Sequence, residues 1–172
     1  MVDQIQANLK SFIPDGEHAR DFRDALGRFA TGVTLVTAVG PDGPVGFVAN
    51  SFSSLSIEPP LVLWSVARIA RRFGIFSTAK NFVIHILAQE QTDLIARFTR
   101  EGLGFSGLDY GVSQRGLPVL DDASARFECA LHAAYDGGDH LMIVGQVDHV
   151  VMCLTEPLVF LDGGYGQFST RK

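Results

Sequence analysis

The sequence is poor in positive charge. Its 172 residues include 14 lysines and arginines against 19 aspartates and glutamates, which gives a net charge of −5. A nucleic-acid surface needs clustered lysine and arginine. The only basic cluster is Arg68, Arg71 and Arg72, which is enough for one phosphate group but not for a polymer. We therefore expect no nucleic-acid partner.

Cysteine is scarce too, and long apolar runs are missing. Cys129 and Cys153 lie in apolar segments without metal-ligand spacing, so we expect two buried, reduced thiols and no metal site. No charged segment followed by an apolar stretch opens the chain, and no apolar run reaches the length of a membrane span. These absences predict a soluble, cytoplasmic protein without a membrane partner.

What the chain does contain is apolar: 47% of its residues are hydrophobic and 19% are charged. A chain of this length fits one domain. So apolar a composition predicts an oligomer interface. We expect an N-terminal arm over residues 1–14 and a single domain over 15–172.

Hydrophobic periodicity predicts mostly strands. Short strand patterns are separated by turn residues and by a few helical patterns, which is typical of a mainly β, largely antiparallel closed barrel. The predicted strands cover 33–39, 45–56, 61–66, 81–87, 126–135, 141–152 and 157–161, the predicted helices cover 15–30, 67–79 and 91–100, and 101–124 is expected to form an ordered excursion over the sheet.

A glycine motif at 102–107 satisfies G-x-G-x-x-G but lacks the context of a dinucleotide fingerprint. That fingerprint needs a strand before it and a helix after it. Here a predicted helix precedes the glycines and a loop follows, so we reject a Rossmann interpretation. The five histidines show no zinc-like spacing and no triad partner.

Three segments carry possible binding chemistry. In 46–63, small and hydroxyl residues such as Ser51 and Ser53 crowd a predicted strand, which suits a flat, polar-edged ligand; ordinary barrel residues of alternating polarity explain the pattern equally well. In 65–71, a strand end passes into a predicted helix start, where Arg68 and Arg71 could lean toward one phosphate; a solvated basic face is the alternative. His140 follows a Gly-Gly-Asp turn at a strand start and could face a pocket mouth, or could be an ordinary surface histidine.

Several motifs, in order, make the chain similar to the short-chain flavin reductase family from about Ala19 to Phe168. They are Phe22–Val33, Gly46–Leu63 with its Pro-Pro turn, Phe82–Leu87, Phe105–Leu108, Gly116–Leu120 together with Cys129, Gly138–His140 followed by Gly145–Val147, and Gly163–Tyr165. The resemblance implies an FMN-binding split β-barrel homodimer. It would bind FMN or FAD, oxidise NADH or NADPH and serve a separate flavin-dependent monooxygenase. The cofactor would carry the electron chemistry while the protein positions it.

The resemblance also implies site residues. His140 would act at the nicotinamide nucleotide, where the 163–166 turn would also lie, and Ser65 to Arg71 would hold the phosphate side of the flavin. The full cofactor-binding set is Pro44, Val45, Gly46, Phe47, Val48, Ala49, Asn50, Ser51, Ser65, Val66, Ala67, Arg68, Ile69, Ala70, Arg71, His85, Ile86, Gly163, Gly164, Tyr165 and Gly166. Two positions depart from the family pattern, which usually has asparagine at His85 and serine or threonine at Ala70.

Three other functions remain open from the sequence. The chain could be a flavin-binding module without NADH turnover, a pyridoxamine-phosphate-oxidase-like oxidase, or a structural protein without a ligand. The Pro-Pro turn and the Gly-Asp-His run favour the reductase over the oxidase.

Overall fold

The computed structural model describes residues 9–99 and 104–169, which form mainly antiparallel strands. The helices are α1 (Ala19–Leu26), α2 (Phe73–Phe76) and α3 (Thr92–Thr99), with a 3-10 turn at Gln89–Gln91. The strands are β1 (Thr31–Gly32), β2 (Thr34–Gly40), β3 (Gly43–Ala49), β4 (Ser53–Ser56), β5 (Leu61–Ala67), β6 (Asn81–Ile86), β7 (Gly111–Val112), β8 (Pro118–Val119), β9 (Ala125–Gly137), β10 (His140–Met152), β11 (Val159–Leu161) and β12 (Gly164–Gly166).

Seven strands form one antiparallel sheet in the order β3-β2-β6-β9-β10-β5-β4. Two hairpins build much of it. In the β2–β3 hairpin, Gly43 takes a positive φ of 121° at the turn, and the β9–β10 hairpin joins two strands of 13 residues each. A smaller sheet, β1-β11-β12, brings the C-terminal strands beside the start of β2. The mainly β, antiparallel prediction is confirmed.

The large sheet curls until its two ends approach each other. The ring of Phe47 on β3 lies 6.0 Å from the ring of Trp64 on β5. In the described residues, however, no hydrogen-bonded ladder joins β3 to β4, so the sheet does not close into the predicted continuous barrel. Side-chain packing, not main-chain pairing, spans the gap.

Apolar residues fill both faces of this sheet. Inside the curl, the fully buried Trp64 packs edge-on against Phe76 and Phe82, with ring centroids 5.4 and 6.0 Å apart. On the outer face, α3 buries Leu94, Ile95 and Phe98 in a second cluster. Burial of such side chains contributes about 1.5–3 kcal/mol each and so stabilises the sheet that carries the residues at its ends.

Two predicted elements are shorter than expected. The helix expected over 67–79 is a turn over 68–72 followed by four helical residues, because the N–H of Ala70 bonds to Ala67 O (3.0 Å) and that of Phe73 to Ala70 O (2.9 Å). The helix expected over 15–30 covers only Ala19–Leu26.

The strand expected over 45–56 is broken after Ala49. The chain leaves the β2 ladder there and re-enters the sheet at Ser53, beside β5. Within this crossing, the Ser51 hydroxyl bonds to the main chain of Ser65 on β5.

The predictions for the two cysteines, the glycine motif, the N-terminal arm and a membrane span can also be compared with the structure. Cys129 is buried as predicted, and burial raises the pKa of its thiol to about 12, whereas Cys153 is exposed and not buried. In the glycine motif, Gly102 and Leu103 lie outside the described residues, as do residues 1–8 of the expected arm. Within the described part of the chain, no helix is long and apolar enough to cross a membrane.

Candidate functional site

A cleft of about 220 Å³ lies between β3 and the C-terminal strands. It joins segments that are far apart in the sequence, because β11 pairs with β1 (Thr31 opposite Phe160) and so lies next to the start of β2. Its walls are formed by Val33, Val48, Ala49, Asn50, Phe160 and Tyr165. We call this the Asn50–Tyr165 cleft. Two of the predicted segments, 48–50 and 163–166, therefore meet in one place.

Tyr165 is presented to the cleft by a tight turn between β11 and β12. Asp162 and Gly163 both have positive φ, 52° and 80°, which glycine and aspartate tolerate better than most residues. The Tyr165 ring packs against Phe160, with centroids 5.2 Å apart. The other side of Tyr165 borders a second cavity of about 240 Å³, which includes Gln89, Thr92 and Gly166.

The Asn50–Tyr165 cleft has the chemistry of a site for a flat ring. Its walls are largely apolar, and the Asn50 amide supplies both a donor and an acceptor at its edge. Sites for drug-sized ligands measure about 300–1,000 Å³ and are mostly apolar with a few polar groups. The cleft therefore has room for one part of a larger ligand, whose remainder has to extend across the surface.

Ser51 and Ser65 are brought into direct contact. The Ser51 Oγ donates to Ser65 O (3.2 Å) and accepts from the Ser65 N–H (2.9 Å). The single hydroxyl proton is therefore already used within the protein. Ser51 links two predicted binding segments, and only its remaining acceptor capacity is left for a ligand.

The basic turn after β5 uses its two predicted arginines differently. Arg68 turns toward the β9–β10 hairpin, where its Nη2 donates to Asp136 Oδ1 at 2.7 Å. Arg71 is exposed to solvent, as is Ile69, and Ala70 packs against the inner core. The expected helix start is absent at Arg68, so no helix dipole would attract an anion here. Only the positive charge of the arginines supports the predicted anion site.

His140 lies beside this turn. It opens β10 directly opposite Ala67, and its Nδ1 is 2.7 Å from Asp139 Oδ1. That hydrogen bond holds the pKa of the Asp139 carboxyl below its usual value. The predicted phosphate turn and the predicted nicotinamide residue are therefore neighbours at one end of the sheet.

Part of the predicted set faces the core instead. The Phe47 ring packs on Trp64, and Val66 is fully buried. The Phe98 ring occupies the space that a side chain at Gly46 would need, since a Cβ built there would lie 2.4 Å from Phe98 Cε1. The structure thus explains the lack of a side chain at Gly46 by packing against α3, without a ligand.

Pro44, Val45 and Gly46 also border a separate cavity of about 400 Å³, which includes Arg72 and Tyr110. The Arg72 Nη1 donates to Phe98 O at 3.1 Å. Burial, and then the charge of Arg71, lower the pKa of Arg72. Sequence reasoning treated Arg72 only as part of the basic cluster.

His85 is fully buried in β6, with both ring nitrogens occupied. Nδ1 donates to Leu35 O (2.9 Å) and Nε2 accepts from the Leu120 N–H (3.1 Å). Burial lowers its pKa to about 4. Its side chain therefore has no free polar atom for a cofactor, and its role here is to join β2 to the 118–120 segment. Ile86, the next residue, is partly buried at the end of β6.

Two wall residues of the Asn50–Tyr165 cleft were missed by sequence reasoning, Val33 and Phe160. The signal for Phe160 was its place on the strand that leads into the Gly-Gly-Tyr turn. Nothing in the local sequence of Val33 marks it, because its position depends on the pairing of β1 with β11.

The fold and these sites define a class: an antiparallel β protein with an apolar, polar-edged cleft and a basic turn close by. The chain matches the family model described as a flavin reductase like domain over residues 26–169. It belongs to that family, so the resemblance predicted from the motifs is confirmed.

Individual relatives agree with this assignment. The FMN reductase (NADH) SmoA of Agrobacterium fabrum is 50% identical over 164 residues, which cover 95% of this chain and 94% of that protein. The reductase subunit HsaB of a flavin-dependent monooxygenase from Mycobacterium tuberculosis is 37% identical, covering 89% and 84%. Among solved structures, the NADH:FAD oxidoreductase SgcE6 of Streptomyces globisporus in complex with NAD and FAD fragments superposes with a TM-score of 0.84 at 31% identity, covering 92% and 98%.

Proposed function

We propose that this protein is an NAD(P)H:flavin oxidoreductase that reduces FMN or FAD and supplies the reduced flavin to a separate monooxygenase. One observation supports it most: residues 48–50 and Tyr165 of the 163–166 turn, all predicted to bind the cofactors, line a single cleft with apolar walls and one amide. The 50% identical relative is named an FMN reductase (NADH), which makes FMN and NADH the first pair to test.

The isoalloxazine ring is proposed to lie in the Asn50–Tyr165 cleft. Val48 and Phe160 offer apolar contact, while the Asn50 amide offers hydrogen bonds at the ring edge. Such donors stabilise the negative charge that hydride transfer leaves on a flavin. The phosphate side is proposed to lie at the 65–71 turn, held by the exposed Arg71 and not by Arg68.

The nicotinamide nucleotide is proposed to bind near His140. Asp139 occupies Nδ1 of that ring, so Nε2 is the nitrogen left for a ligand. With the proton on Nδ1, Nε2 accepts a hydrogen bond, for which a carboxamide N–H is a suitable donor. When the flavin is bound it accepts the hydride; the residues named here orient the two rings, and orientation alone can supply much of the rate.

We also infer a split β-barrel fold and a homodimer. The packing of Phe47 on Trp64 and the bond from Ser51 to Ser65 support the barrel, because they tie the two ends of the curled sheet together. The dimer is supported by α1, which buries none of its residues and exposes its last residue, Leu26 (59%), and by the exposure of Phe29 (77%) just after it. Exposed apolar faces of this kind mark interaction surfaces.

A monooxygenase partner is supported by relatives named as reductase subunits or components of flavin-dependent monooxygenases. Reduced flavin would leave the Asn50–Tyr165 cleft, whose contents are reachable from the surface, and be taken up by that second protein. A cytoplasmic location is consistent with the exposed free thiol of Cys153, since reducing compartments keep such thiols unpaired.

Steady-state assays test the activity. Oxidation of NADH and of NADPH is followed with FMN, FAD and riboflavin in turn. We expect NADH oxidation that depends on added flavin. Flavin binding without NADH oxidation would indicate a flavin-binding module, and the absence of flavin binding would refute the site.

A further inference from the structure

Arg68 fastens the tip of the β9–β10 hairpin to the end of β5. Its Nε donates to Gly138 O (3.1 Å), its Nη2 to Asp136 Oδ1 (2.7 Å), and its main-chain N–H to Asp139 O (2.9 Å). The guanidinium also lies over the Phe73 ring, 5.7 Å from the centroid. One residue thus contacts three of the four residues that precede His140.

Among the described residues, the side-chain hydrogen bonds that reach the hairpin tip from outside the hairpin all come from Arg68. The last pair in the β9–β10 ladder is Gly137 opposite His140, and β5 ends at Ala67, opposite His140. The turn residues beyond that pair are Gly138, which takes a φ of +75°, and Asp139, whose carboxylate binds His140. A shift of this turn would therefore move the partner that fixes the His140 ring.

The bonding of Arg68 also leaves little of its guanidinium for a ligand. Nε and Nη2 are directed to the tip, and the bond to Arg68 holds the pKa of the Asp136 carboxyl below its usual value. Arg71, three residues later, is exposed and free to turn toward an anion. The two arginines of one turn thus have different tasks.

We propose that Arg68 is a positioning residue: it holds the hairpin tip so that His140 is correctly placed for the nicotinamide nucleotide, and it is not a ligand of the flavin phosphate. This inference rests on the nucleotide-binding role proposed for His140. It predicts a separation of effects, in which Arg68 controls binding of the hydride donor and Arg71 controls binding of flavin.

The test compares Arg68→Ala, Arg68→Lys, Arg71→Ala, His140→Ala and the double variant Arg68→Ala/His140→Ala, with Lys80→Ala as a control for loss of one exposed positive charge. FMN affinity is measured by fluorescence titration, and KM for NADH and kcat are measured at saturating FMN. Hydrogen exchange of the 136–140 amides is followed by mass spectrometry.

For Arg68→Ala we expect KM for NADH to rise about fivefold, the size of effect that a partly exposed charged contact can give, with kcat and FMN affinity within about twofold of wild type. Arg68→Lys keeps the charge but not the fork geometry, so it should recover only part of the loss. In the His140→Ala background, Arg68→Ala should add no further rise, because its effect passes through His140. Exchange at 136–140 should accelerate in Arg68→Ala and not in Lys80→Ala.

The outcomes separate this inference from the proposed function. Weaker FMN binding in Arg68→Ala, or KM effects that add in the double variant, would overturn the positioning role alone. Unchanged KM in Arg68→Ala would do the same, even if exchange accelerates. Unchanged KM in His140→Ala would remove the nucleotide role of His140 and this inference with it, whereas a wild-type protein without NADH oxidation would refute the proposed function itself.

Discussion

The buried His85 predicts a loss of stability in mild acid. Its Nδ1 donates to Leu35 O and its Nε2 accepts from the Leu120 N–H, so the folded protein holds the neutral ring. Protonation at Nε2 would break the bond to Leu120 and place a charge in the core. This is why the pKa falls from 6.5 to about 4 on folding, with burial as the main cause.

The sign and size of the effect follow from that difference. Between pH 6.5 and about pH 4 the unfolded chain binds a proton that the folded protein does not, so stability decreases as the pH falls through this window. The shift corresponds to about 3 kcal/mol, which is fully present above pH 6.5 and lost near pH 4. The carboxyls of Asp15, Asp136 and Asp139 have lowered pKa values and lose their contribution only below 3.8.

Urea unfolding at a series of pH values measures this contribution, and His85→Asn is the matched control. An asparagine amide can donate and accept as the neutral imidazole does, but it does not titrate. We expect the difference between the two stability curves to change by about 3 kcal/mol across the window. Parallel curves for the two proteins would refute the assignment of a neutral, doubly bonded His85.

Three further variants test packing, flavin binding and assembly. Gly46→Ala would place a Cβ 2.4 Å from Phe98 Cε1, and we expect it to destabilise the fold by about 1–3 kcal/mol in urea unfolding; a neutral result would contradict the packing described. Arg71→Ala should weaken FMN binding about tenfold in a fluorescence titration, as loss of a charged hydrogen bond does, whereas Lys80→Ala should not, and equal affinities would remove Arg71 from the site. Leu26→Asp should convert the proposed dimer to monomer in light scattering, because it places a charge in the apolar α1 face; an unchanged mass would locate the interface elsewhere.

Much of the fold could be predicted from the sequence, because local patterns encode it. The alternation over 126–135 and the Gly-Asp turn after it predicted the β9–β10 hairpin, which the structure has as Ala125–Gly137 and His140–Met152. The motif order predicted the family, and the family model confirms it over 26–169. The local pattern over 67–79 predicted a helix, and this prediction was wrong for most of the segment. Tight turns connect β5 to the short helix α2 there, despite the helical periodicity.

The candidate site was less predictable because its details depend on long-range contacts. The segments 48–50 and 163–166 were both proposed, but only the pairing of β11 with β1 explains why they share a cleft. Arg68 looked equivalent to Arg71 in the sequence, since nothing local indicates that its partners lie 68 and 70 residues later, at Asp136 and Gly138. The roles of these residues in ligand binding stay predictions.

Hydride transfer from a nicotinamide nucleotide to flavin is the reaction that we propose for this protein. Rapid anaerobic mixing of NADH with the protein and FMN tests it in a single turnover, without an oxygenase or oxygen. We predict loss of the yellow absorbance of oxidised flavin, much faster than in a mixture without the protein and slower in His140→Ala when NADH is below saturation. Flavin that binds the protein but stays yellow after NADH is added would contradict the account.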